Sequence, residues 1–252
     1  LPDHQLFVNE LKKTFVLFQP KDIVSGDFYW LATKDNKALF AAVDCTGHGV
    51  PGAFMSIVGH NLLDKIVGEY GITEPASILN ELNKGVSDTL RQKADAAVKD
   101  GMDMALCAFD PNNKILEYAG AYNPIYIISK DQLEVLDGEE VEPNMTENGL
   151  MLYEIKGDRF PIGSYSDEKK EFKSHRFKLK EGDTIYLFSD GYADQFGGDK
   201  GQKFMYKNLK RLFLSINDLS MEEQKEKLLT ELKSWRGPLE QVDDIVVIGS
   251  RL

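Results

Sequence analysis

The chain has 252 residues, 42% hydrophobic and 28% charged, enough to bury a sizeable core in one large domain or two. Its formal net charge of −11 excludes the basic footprint of a nucleic-acid binder and disfavours direct contact with anionic membrane. Cys45 and Cys107 are too few for a disulfide framework, no apolar run reaches membrane-spanning length, and no signal peptide opens the chain. The default location is therefore cytoplasmic. Because the first residue is Leu1 and not Met, the chain reads as a domain cut from a longer protein, such as the cytoplasmic domain of a larger sensor.

Residues 1–14 are polar and mixed, and are read as a linker or helical remnant in which Leu6, Phe7 and Leu11 offer contacts. The main domain is placed at 15–252. Residues 15–18 form a short apolar strand, and a turn at Gln19, Pro20, Lys21 and Asp22 follows. Gly26 and Asp27 lead into the aromatic strand Phe28-Tyr29-Trp30-Leu31. Asp35 and Asn36 turn the chain back into an apolar strand over 38–43, giving a hairpin. That strand runs straight into Asp44-Cys45-Thr46-Gly47-His48-Gly49.

A helix is predicted over 51–67, with Phe54, Val58, Leu62 and Ile66 recurring at i+4 and Ile57 beside them. A second, with Thr73 as its cap, shows Ile78, Leu82, Val86 and Leu90. Residues 94–101 read as a loop. Strands follow at 104–109, 115–121 and 125–129, with Asp110-Pro111-Asn112-Asn113 as the first turn. The acidic stretch 137–148 reads as a loop or flap. Strands are predicted at 172–179 and 184–189, the second ending at Ser189-Asp190-Gly191. Helical stretches near 204–216 and 221–235 precede Asp243-Asp244 and a buried strand at 245–248.

Four acids share one setting. Asp27, Asp44, Asp190 and Asp243, with Asp244 adjacent, each stand at an end of an apolar strand. Single acids there are ordinary turn residues. Four of them, far apart in sequence, point to one shared edge of packed sheets. Carboxylates crowded there repel unless a cation neutralises them. Two divalent ions about 4 Å apart could bridge them and activate a water. The all-oxygen set favours Mg²⁺ or Mn²⁺ over Zn²⁺.

These motifs, in order and over about residues 19–251, resemble the metal-dependent (PPM-type) serine/threonine protein phosphatases, in the bacterial stage II sporulation protein E branch. The resemblance implies an α+β four-layer sandwich: two antiparallel sheets face to face, with helices on both outer faces. It also implies site roles. Asp44 resembles the acid bridging both metals, and the Cys45 carbonyl a further ligand. Asp190 and Asp243 match the acids of the second metal, and Asp27 the acid that reaches a metal-bound water. Asp244 replaces a frequent asparagine and stands as a ligand or as a support for one.

Some positions depart from the wider family. Where the eukaryotic branch has a phosphate-binding arginine, only Lys21 and Asp22 are found. Thr46 stands where that branch has a histidine, and His48 is read as a structural turn residue. Gly120-Ala121-Tyr122 occupies the region of its third-metal acid. Asp103 could face the site from a strand start. Cys107 reads as core, and His60 and His175 as surface residues.

The expected activity is hydrolysis of phosphoserine or phosphothreonine on a regulatory protein, such as an anti-sigma-factor antagonist, by a water activated by two Mn²⁺ or Mg²⁺ ions. The alternatives are a regulatory binding module that keeps the fold alone, and a hydrolase of small phosphoesters. The expected partners are the phosphorylated protein and an N-terminal sensor or coiled-coil segment of the same chain, acting through the helices after Asp44. A homodimer is left open.

Overall fold

The computed structural model describes residues 11, 13–47, 49–90, 100–163 and 170–252. Two six-stranded sheets carry the fold. The first runs in the order β1 (Thr14–Gln19), β14 (Ile245–Arg251), β11 (Thr184–Phe188), β6 (Ile125–Ser129), β9 (Leu150–Ile155) and β8 (Met145–Glu147). The second is ordered β2 (Phe28–Lys34), β3 (Lys37–Cys45), β4 (Met102–Asp110), β5 (Ile115–Ala121), β10 (His175–Lys178) and β7 (Glu134–Val135). Every adjacent pair is antiparallel. A small hairpin of β12 (Phe196–Gly197) and β13 (Gln202–Lys203) stands apart.

The helices are α1 (Gly49–Asp64), which continues into a π-helical turn at Lys65–Glu69, α2 (Pro75–Leu90), the short α3 (Gly191–Asp194), α4 (Tyr206–Ser215) and α5 (Met221–Arg236). Three apolar layers result. Phe40, Ala42, Ala105 and Cys107 of the second sheet meet Ile127, Leu187, Val246 and Ile248 of the first. The outer face of the second sheet packs on α1 and α2. The outer face of the first packs on α3, α4 and α5. This is the expected four-layer sandwich.

Strand parity follows from this layering. In β3, Leu39, Ala41 and Val43 face the helices, while Phe40 and Ala42 face the other sheet. Alternation then sends Asp44 between the sheets and Cys45 into the helix layer.

Several local expectations are corrected. The buried face of α1 is Gly52, Met55, Gly59 and Leu63, while Phe54 and Ile57 point outward. At the start of α2 the carboxylate of Glu74, not Thr73, accepts the N–H groups of Ala76 and Ser77 at 3.2 and 2.6 Å. The stretch 137–148 is loop only in part, because it carries β8, which pairs with the unpredicted β9. The turn joining them is Asn148-Gly149, both with positive φ, as a two-residue hairpin requires. The strand expected at 172–179 is confined to β10. Of the 1–14 segment only residues 11, 13 and 14 are described; Leu11 is buried in the inter-sheet core.

Candidate active site

The two sheets bring their acidic strand ends to one edge. Asp44 lies near the end of β3, directly opposite Asp103 on β4. Asp27 precedes β2, Asp190 follows β11, and Asp243 precedes β14. Asp44, Cys45, Thr46, Gly47, Asp103, Asp190 and Asp243 line a pocket of about 230 Å³. Asp103 therefore joins the site fully. The backbone N–H of Asp190 points at Asp44 Oδ2 from 3.4 Å. Asp27 is 4% exposed and sits behind this lining, where the Ser189 hydroxyl bonds its carboxylate. Ser189 shares the inward parity of Ile185 and Leu187.

Two glycines, Gly26 and Gly52, make the approach possible. A Cβ on Gly52 would lie 2.2 Å from the Gly47 carbonyl oxygen and 2.8 Å from Gly26 Cα. The Gly26 loop, the Gly47 turn and the first turn of α1 thus touch backbone to backbone, which fixes Asp27 beside Asp44.

Asp244 has a different task from its neighbour. Its two oxygens accept the N–H groups of Lys21 and Gly26, each at 2.8 Å, and it is 1% exposed. It clamps the loop that carries Asp27. Asp243 stays half-buried in the pocket wall, its Oδ1 accepting the Asp244 N–H at 2.9 Å. His48 lies outside the described residues.

The electrostatics are one-sided. Burial is the main cause that raises the carboxyls of Asp27, Asp44, Asp103 and Asp190, and neighbouring carboxylates add to it. Asp27 is pushed up to about 8 and Asp103 to about 6. The phenol of Tyr206 is raised first by burial and then by Asp190, Asp194, Asp44 and Asp103. Burial also raises the Cys45 thiol well above its usual range, so it is held neutral and inert.

Like charges directly opposite each other on neighbouring strands are destabilising. Favourable cross-strand pairs return only about 0.2–1 kcal/mol. The Asp44–Asp103 register is therefore no device of stability, and it calls for a counter-charge. Among the described residues no three His, Cys, Asp or Glu side chains form a ready cage. The pocket is an open acidic cleft. Such a donor set fits hard divalent cations, which complete their shells with water and phosphoryl oxygens.

Comparisons with known proteins agree with this fold. The model of the family described as Stage II sporulation protein E (SpoIIE) matches residues 34–252. The SiaA-PP2C domain of Pseudomonas aeruginosa is similar with a TM-score of 0.83 and 30% identity, covering 100% of this chain and 91% of that one. The PP2C phosphatase domain with a fragment of the regulatory domain of SpoIIE from Bacillus subtilis gives a TM-score of 0.67 at 21% identity, over 95% of this chain and 61% of that one. RsbX in complex with magnesium shares the fold, with a TM-score of 0.56 at 16% identity, over 95% of this chain and 94% of that one. No curated protein sequence matches.

Fold and cleft together define a PP2C-type serine/threonine phosphoprotein phosphatase domain, a class that depends on metal. Within that class the chain belongs to the SpoIIE family.

Proposed function

We propose that this domain removes phosphate from phosphoserine or phosphothreonine of a regulatory protein, an anti-sigma-factor antagonist being one such substrate. The observation that carries the reading is the cleft itself: Asp44 and Asp103 face each other, and Asp190 and Asp243 come from the other sheet. Asp44, the Cys45 carbonyl, Asp190 and Asp243 would hold two Mn²⁺ or Mg²⁺ ions. When bound, these ions supply a water of lowered pKa and positive charge for the phosphoryl oxygens.

The chain's own groups do the rest. Asp44 holds its place through the N–H of Asp190. Asp27, buried behind the cleft wall and bonded by Ser189, is held where it would orient a metal-bound water. Asp244 keeps the Asp27 loop in position and is assigned to that support, since both of its oxygens already accept N–H groups. A water so activated would attack phosphorus in line, its proton going to the departing seryl or threonyl oxygen.

The test is phosphate release from phosphoserine and phosphothreonine peptides by chelator-treated protein. Turnover should return with added Mn²⁺ or Mg²⁺ and vanish in chelator. Full turnover without metal would sink the reading. Preference for a free phosphate ester over every peptide would favour the small-ester alternative.

A partner segment of the same protein completes the proposal. Val50, Phe54 and Ile57 of α1 are 62, 66 and 57% exposed and lie on one side of the helix. The first turn of α1 contains Gly52, which touches the Gly47 turn beside Asp44. A segment N-terminal to residue 1 covering this stripe could therefore shift metal affinity through α1. In a protein carrying that segment, Phe54→Ser with Ile57→Ser should move the Mn²⁺ concentration for half-maximal activity severalfold, with kcat held. Superimposable metal titration curves would count against the segment.

A further inference from the structure

Beside the acidic cleft lies a larger groove of about 470 Å³, which shares Asp103 and Asp190 with it. Its lining includes Lys156 and Arg159, both exposed, and neither makes an ion pair among the described residues. Glu154 also lines it, but Lys210 neutralises that carboxylate from 3.1 Å. The uncommitted charge of the groove, outside the metal cleft, is positive.

Its inner wall carries two orphans. Asn123 is 8% exposed and Tyr126 is fully buried, yet Asn123 Nδ2 and the Tyr126 hydroxyl have no hydrogen-bond partner. Buried polar groups without partners are costly and rare. Both can donate, so a ligand that answers them presents oxygen.

The turn that places Asn123 is strained and pinned. Tyr122 has φ +56, and the Asn123 N–H bonds the Ala121 carbonyl at 2.6 Å. The Tyr118 hydroxyl donates to the Asn123 carbonyl at 2.7 Å. Asp158, next to Arg159, exchanges backbone bonds of 2.9 and 2.8 Å with Tyr122 and Gly120. The pinned turn thus sets Asn123 and Arg159 in a groove that Tyr126 and Lys156 also line. Strain of this kind persists where the surroundings enforce it, often at ligand sites.

Two cations and two buried donors match a carboxylate. The net charge of −11 repels a phosphoprotein as a whole, and a local cationic wall offsets that at the point of docking. Extended chain advances about 3.3–3.6 Å per residue, so a side chain within about three residues of the phosphorylated one can reach the groove.

We propose that this groove is a substrate subsite for an acidic residue flanking the phosphorylated serine or threonine. Arg159 and Lys156 supply the charge, and Asn123 and Tyr126 the buried donors. The subsite rests on the phosphatase reading above, which turnover of p-nitrophenyl phosphate by the unchanged protein reports by itself.

The test uses phosphopeptide pairs that differ only by Asp or Asn at one position within three residues of the phosphorylated one. For at least one position the unchanged protein should favour the Asp peptide by about tenfold in kcat/KM. That ratio should fall close to one in the Lys156→Ala, Arg159→Ala double variant, whose side chains are exposed and leave the core intact. Tyr126→Phe keeps the ring packing and removes one orphan hydroxyl. It should lower the ratio without lowering the melting temperature, which a purely structural role would not do. A ratio near one for every pair in the unchanged protein would overturn the proposal. So would a ratio that survives the double variant while both peptides slow equally, since the cations would then be gripping the phosphoryl group.

Discussion

Asp44→Asn should lower phosphatase turnover by more than about a hundredfold, because even residues that only support a metal ligand cost about 10- to 100-fold when lost. The same change should stabilise the metal-free chain. Asp27, Asp44, Asp103 and Asp190 all have carboxyls raised above the ordinary range. Between that range and the raised values, the folded chain holds protons that the unfolded chain has released. Stability therefore falls as pH rises through this window, which reaches about 8 for Asp27. Below the ordinary range both states are protonated and the contribution is fully present. Asp44→Asn deletes one buried charge and keeps an oxygen for the Asp190 N–H. Its gain in melting temperature, in chelator, should be larger at pH 8 than at pH 5. Thermal unfolding at both pH values decides this, and a loss of stability at pH 8 would contradict the electrostatic account.

Gly52→Ala is the second large effect. The added methyl would meet the Gly47 carbonyl oxygen at 2.2 Å and Gly26 Cα at 2.8 Å, both backbone atoms that no rotamer change can move. Overpacking of this kind costs about 1–3 kcal/mol. For a chain of this size that is a fall of roughly 5 °C in melting temperature. Turnover should fall as well, because the loop carrying Asp27 and the turn after Asp44 must separate. Gly68→Ala is the control, since nothing lies within 4 Å of its added Cβ. It should leave both readouts near their starting values. Equal behaviour of the two variants would show that the glycine contact does not position the site.

Much of this was legible in the sequence. The strand ends carrying Asp27, Asp44, Asp190 and Asp243 could be read from apolar runs that begin after an acid or stop at one. The sandwich followed from the family resemblance, and the structure bears it out. The face of α1 could not be read, because Phe54 and Ile57 fit a buried stripe as well as Met55 and Leu63 do. Periodicity reports a face and not which side of it meets protein. β9 was missed although Asn148-Gly149 is a hairpin signal, because the acidic stretch before it outweighed the apolar run after it. The roles of Asp103, Ser189 and Asp244 needed the register. Asp103 becomes a site residue only once β4 is aligned with β3, and Ser189 meets Asp27 only through the packing of two sheets. The cations Lys156 and Arg159 carry no motif at all.

The central claim is that the acidic cleft holds a pair of divalent ions through Asp44, the Cys45 carbonyl, Asp190 and Asp243. Calorimetric titration of Mn²⁺ into the metal-free chain, beside its Asp44→Asn variant, tests this directly. The account predicts saturable binding of two ions to the unchanged chain and the loss of at least one site in the variant. Absence of saturable binding, or identical isotherms for the two proteins, would contradict it.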